Sequence, residues 1–141
     1  MNQALKQYRQ VGAVSGVQDA DPHRLIQMLF QGLLDRLHAA RGCLQNSDRA
    51  GQGENIGKAI RIVAGLRECL DFDAGEVAAN LDALYDYLAG RLVECNARND
   101  VVGLEEVIQL VSPIKQAWDE IRPQVQGMRP LAATQLQGQQ R

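Results

Sequence analysis

Between Leu70 and Asp100 the chain reads LDFDAGEVAANLDALYDYLAGRLVECNARND, and apolar side chains recur there at steps of three or four: Val77, Leu81, Leu84, Leu88, Leu92 and Cys95. That spacing lines one face of an α-helix. Ala78 and Tyr85 lie beside the stripe and widen it. A stripe wider than one bundle interface requires implies a helix that touches something besides its own domain.

The same alternation extends along most of the chain. Asp21 is placed to cap a helix that Pro22 opens, where the missing N–H costs nothing. Ile26, Phe30, Leu33, Leu37, Ala40 and Leu44 then form a bundle seam. The turn formers of NSDRAGQG (46–53) predict a break, and a second helix is expected from about Glu54 to Leu70. Its apolar residues make two overlapping seams, Ile56-Ala59-Val63-Leu66-Leu70 and Ala59-Ile62-Leu66-Cys69, with Ile60 surplus to both. The link from Asp71 to Gly75 is short enough to force antiparallel neighbours. The third helix is expected to end near Arg98, with Asn99 or Asp100 capping the fourth. In the fourth, Leu104, Val107, Val111, Ile114, Trp118, Ile121 and Val125 hold the pattern through Pro113, which predicts a bend near Gln109–Pro113 rather than a stop.

Together these segments predict an all-α protein, an antiparallel up-down four-helix bundle over residues 21–126. A short N-terminal helix and connector (1–20) precede it, and a disordered Gln-rich tail (127–141) follows. With 141 residues, one domain with a real core is affordable, and 4% aromatics against 45% hydrophobic residues means a core of Leu, Ile, Val and Ala. A net charge of -2 gives no footprint for nucleic acid or an anionic membrane. No apolar run approaches the roughly 20 residues that span a bilayer, and MNQALKQYRQ lacks the apolar stretch of a secretory signal. A cytoplasmic protein is expected. Cys43, Cys69 and Cys95, odd in number and without close histidines, read as thiols acting as small hydrophobes rather than as a disulfide framework or a zinc site.

A search for chemistry finds little, and no metal or other cofactor is expected. Asp35-x-x-His38 occurs once, whereas a di-metal bundle needs paired Glu-x-x-His motifs. Gly51 and Gly53 precede a helix without the Gly-Lys-Ser/Thr ending of a phosphate loop. Asp71 and Asp73 are accounted for by capping. The sharpest competing constellation is His38-Ala39-Ala40-Arg41-Gly42, similar to the histidine of a phosphotransfer bundle with a cation one turn on. That alternative needs Leu37 and Ala40 buried while His38 and Arg41 face water. An ordinary solvent-facing histidine explains the same residues.

Binding remains. Leu25, Met28, Leu29, Leu34, Ile60, Ile62, Tyr85, Val101 and Ile108 exceed what a minimal core requires, and either extend that core or line a groove for a partner's amphipathic helix. Burying several hundred square ångströms at about 25 cal/mol each gives on the order of 10 kcal/mol before ordering costs.

The order Leu70-Asp71, Gly75-Glu76, Ala78, Asn80-Leu81, Leu84-Tyr85, Tyr87-Leu88, Arg91-Leu92, Asn96 and Asp100 resembles the flagellar secretion chaperone FliS family. Tyr8, Asp21-Pro22, Leu25, the segment Met28 to Gly32, Ala59, Ile62-Val63, Leu66 and Trp118 extend the likeness over roughly residues 8 to 121. The family does not call for a proline at 113. The resemblance implies a non-enzymatic bundle that binds the disordered C-terminal region of flagellin as amphipathic helices, prevents its premature polymerisation and helps deliver it to the flagellar type III export apparatus. It also brings in an anti-sigma factor as a further partner. Tyr8 is implied as part of an N-terminal plug that leaves when client binds. Ile56, Ile60 and Val63 on the second long helix and Ile108 on the fourth are the candidate groove residues.

Overall fold

Aspartate opens three of the four helices found. The computed structural model describes residues 21–121, and they form α1 (Pro22–Gln45), α2 (Arg49–Glu68), α3 (Glu76–Arg98) and α4 (Val101–Glu120), with a 3-10 turn at Phe72–Ala74 before α3. Asp21, Asp48 and Asp100 each accept a hydrogen bond from the backbone N–H three residues on, at 2.7, 3.0 and 2.9 Å. Each satisfies one donor that a helix start leaves unpaired. Pro22 sits in the first turn of α1 as expected. Asp71 accepts from the Asp73 N–H in the 3-10 turn, and Gly75, at φ 78°, takes the left-handed angle that starts α3. The short leading helix, Val125 and the tail from Gly127 fall outside the described residues.

Helix α2 begins at Arg49, about five residues before the expected start. Asp48 supplies the cap that the run of turn formers concealed. Gly51, which argued against a helix, fits closely there: a Cβ would crowd the Asp48 carboxylate and lie 2.7 Å from Cys43 Sγ, so those side chains would have to shift. One turn in, Gln52 is buried, and its Nε2 donates to Asn96 Oδ1 and Asn99 Oδ1, both at 3.0 Å, while its Oε1 accepts from Arg49. That amide fastens the start of α2 to the end of α3. Asn99 holds the left-handed position, φ 53°, where α3 stops.

Consecutive helices pack side by side, and α1 also packs on α4, so the four close into a ring. Connections of two to seven residues leave each helix no course but to turn back along its predecessor. Because every helix meets two neighbours, its buried face is broad. On α1 it includes Leu25, Leu29 and Leu34, which are core rather than surplus, together with Phe30, Leu33, Leu37, Ala40 and Leu44. Ile62 and Tyr85 join it too. On α3 the buried line runs Ala78, Tyr85, Leu88, Leu92 and Cys95, while Leu81 and Leu84 are half-buried. Val77, expected within the stripe, is 65% exposed.

Helix α4 is continuous through Pro113. Pro113 and Gln109, the residue whose carbonyl loses its donor, both belong to the exposed side, and Ser112 Oγ donates to the Ile108 carbonyl at 2.8 Å. Leu104, Val107, Ile108 and Val111 carry the core on this helix.

Two substitutions test this packing. Leu88→Ala, which removes a fully buried side chain, should cost about 2–5 kcal/mol. Gln52→Ala should cost about 0.5–1.5 kcal/mol, the net worth of its hydrogen bonds to Asn96 and Asn99, whose exposed amides turn to water instead. Urea denaturation should show lowered midpoints at unchanged slope.

Candidate partner-binding surface

Polar ties brace the ring at each corner. Arg67 of α2 reaches Asp82 at 2.8 Å and Asp86 at 3.3 Å on α3. Arg91 of α3 reaches Glu94, Asp100 and Glu106, and Tyr87 Oη donates to Glu106 at 2.9 Å. Between α1 and α4, Gln27 donates to Asp119, which also pairs with Lys115. Beside them His23 stacks on Trp118 with ring centroids 4.8 Å apart, and the Trp118 indole N–H donates to the His23 carbonyl at 3.1 Å. Arg36 of α1 makes a longer bond of 3.3 Å to Asn55 of α2.

These ties set the protonation of their members. The Arg91 guanidinium and the Tyr87 hydroxyl hold Glu106 below the usual carboxylate range, and Glu106 raises Arg91 further. Asp100 is held low by the Gly103 N–H and by Arg91. Burial opposes ionisation of Asp119, yet Lys115 and Gln27 bring it below its ordinary value. Burial pushes the Cys69 thiol up to about 11 and also raises Cys43 and Cys95. All three are free thiols, protonated and unreactive at neutral pH.

The most unusual surface lies on the outer side of α3. Ala79, Ala83, Asp86, Gly90, Val93 and Ala97 are all exposed and step by four, three, four, three and four. That is a second seam, roughly opposite the first, with one charge in six positions. The outer side of α1, by contrast, carries Gln31, Asp35, His38 and Gln45. Small side chains let another helix approach closely, and Val93 adds an apolar contact. A Cβ built on Gly90 meets nothing within 4 Å, so the seam is open at its middle. The signal was present in the sequence, but alanine and glycine do not register as a stripe when large apolar residues are sought.

The expected groove residues are differently placed. Ile56 and Val63 are each 1% exposed and Ile108 is 7% exposed, all within the core cluster. Side chains so covered offer a partner no surface in this conformation. Ile60 is half-buried against the same cluster and keeps an outward part. Tyr8 lies outside the described residues. Leu37 and Ala40 are buried while His38 faces water, with Arg41 donating to its Nδ1 at 3.0 Å. That is the ordinary outcome for a helix with one buried face. Among the described residues, no three His, Cys, Asp or Glu side chains gather as a metal site would need, and no helix is long and apolar enough to cross a membrane.

The described residues thus form a braced four-helix bundle with an open seam on α3. The family model described as flagellar protein FliS matches residues 1–125. A flagellar secretion chaperone FliSB of Pseudomonas aeruginosa is 51% identical over 119 residues, covering 84% of this chain and 94% of that protein. The flagellar secretion chaperone FliS of Salmonella typhimurium is 46% identical over 121 residues (84% and 90%), and that of Vibrio cholerae 38% over 125 (88% and 92%). The chain belongs to the FliS family of flagellar secretion chaperones, which are not enzymes. Family membership lends nothing to phosphotransfer by His38.

The depressed carboxylates fix the sign of the pH response. Their stabilisation is present above the ordinary carboxylate range, near 4, and is lost as pH falls through their lower folded values. The urea midpoint should therefore fall between about pH 5 and pH 2. Arg91→Met should make that fall shallower, because Glu106 and Asp100 then return toward ordinary values.

Proposed function

We propose that this chain is a cytoplasmic export chaperone for flagellin. It captures the client's C-terminal region as amphipathic helices, keeps it from polymerising, and hands it to the flagellar type III export apparatus. Family membership carries this reading, and the outer seam of α3 supports it. A ring already closed by its own aliphatic core has no internal use for a second line of small apolar side chains, whereas an incoming helix does.

The client rests on the outer seam of α3 and continues toward the outward part of Ile60 on α2. Ile56, Val63 and Ile108 form the layer beneath that contact and keep it rigid. Tyr8 belongs to an N-terminal plug that yields its place when client binds. An anti-sigma factor is a second partner in the same proposal.

Pull-down with purified flagellin should succeed with the intact client and fail with one lacking its C-terminal segment. Equal recovery of both would contradict the proposed specificity. Gly90→Arg should leave the bundle as stable as before or stabilise it by about 0.5–1 kcal/mol, since glycine is a poor helix residue and the site is open. The same change should weaken client binding at least about tenfold, or about 1.4 kcal/mol. Ile60→Asp should also weaken binding while circular dichroism stays helical. Unfolding by Ile60→Asp would place that side chain in the core instead.

A further inference from the structure

A second apolar surface lies on a different side of α3, and the client proposal does not use it. Arg91 and Glu106 bring α3 and α4 level at 3.0 Å. Counting 14 residues back along α3 and 14 forward along α4, at about 1.5 Å per residue, sets Val77 level with Glu120. Towards that end the seam between the two helices is incompletely closed. Leu81 and Leu84 of α3 and Leu110 and Ile114 of α4 are only half-buried, Val77 is largely exposed, and Phe72 stands exposed in the turn before α3. Further along α3, Leu88, Leu92 and Cys95 on the same side are fully covered.

What could cover this end is indicated by the chain itself. Helix α4 ends at Glu120, beside the open part of the seam, and 20 residues follow Ile121. Extended, 20 residues reach roughly 66 Å, far more than folding back to a neighbouring helix requires. Residues 122–141 contain Arg122, Arg129 and Arg141 and no Asp or Glu. The remainder of the chain holds 12 Lys and Arg against 17 Asp and Glu. Around the open seam Asp73, Glu76 and Glu120 have no cationic partner among the described residues, whereas Asp82, Asp86 and Asp119 are paired. Val125, Met128 and Leu131 supply apolar side chains between the arginines. Residues 1–20 also join this end, at Asp21, but carry Lys6 and Arg9 against Asp19 and match the surplus of carboxylates less well.

We propose that residues 122–141 of the same chain dock across the open end of the α3–α4 seam. Arg122 and Arg129 lie against the free carboxylates, and the apolar side chains between and beyond them lie on Val77, Leu81 and Leu84. Individual surface ion pairs are weak. A tether short enough to hold the segment at roughly millimolar effective concentration lets weak contacts suffice.

The test is an amide NMR comparison of the full-length chain with its Arg122→Glu/Arg129→Glu variant. Docking predicts resonance shifts in Phe72, Glu76, Val77, Leu81 and Leu84, with the α2–α3 contacts at Gln52 and Asn96 unchanged. Adding Glu76→Arg and Glu120→Arg to that variant should return Leu84, about 12 Å along α3 from residue 76, toward its wild-type position. Raising salt from about 0.1 M to about 1 M, which shortens screening from about 10 Å to about 3 Å, should move the wild type toward the variant. Unchanged resonances at Val77, Leu81 and Leu84 on arginine reversal would overturn the proposal. So would wild-type positions that move with protein concentration, which would assign the seam to a second copy of the chain.

Discussion

The closure of four amphipathic helices around one aliphatic core is the constraint on which the rest of this protein depends. With few aromatic residues, the interior is filled by leucine, isoleucine, valine and alanine. Such a core gains stability only if every helix presents a broad buried face to two neighbours. The short connections make that arrangement the accessible one, and the corner ties of Arg67, Arg91, Gln52 and Gln27 align the helices along their length. Once the core is closed, whatever apolar surface remains outside is available for partners.

On α3 that remainder takes a particular form. Its inner line of large residues holds the ring, while its outer line of alanine, glycine and valine stays in solvent. Small residues suit an exposed contact surface. They expose less apolar area than leucine would while the surface is empty, and they allow a helix backbone to come close when it is filled. A chaperone of this kind needs no reactive group, and its three thiols are protonated and quiet.

Much of the fold was legible in the sequence because local signals and the apolar pattern agreed. Asp21 with Pro22 and Asp100 cap where expected, and the pattern of α4 outweighed Pro113, which lies on the exposed side. The start of α2 was misplaced because glycines at 51 and 53 look like a break, although Gly51 fits closely against Asp48 and Cys43. Leu25, Leu29 and Leu34 looked surplus because a single seam was read on α1, and a ring uses more. The opposite error befell Val77: periodicity continues into the first turn of α3, but the neighbouring helix does not fully cover it there. Burial depends on what stands opposite a side chain, which one helix's spacing cannot supply. For the same reason Ile56, Val63 and Ile108 could not be separated from Ile60 by pattern.

The central claim is that this bundle recognises its client by covering apolar surface outside an already complete core. Titration calorimetry with the C-terminal segment of flagellin at several temperatures tests it most directly. Apolar burial predicts a binding enthalpy that grows more negative as temperature rises, the mark of a negative heat-capacity change. No binding, or a temperature-independent enthalpy with an affinity that salt abolishes, would contradict it.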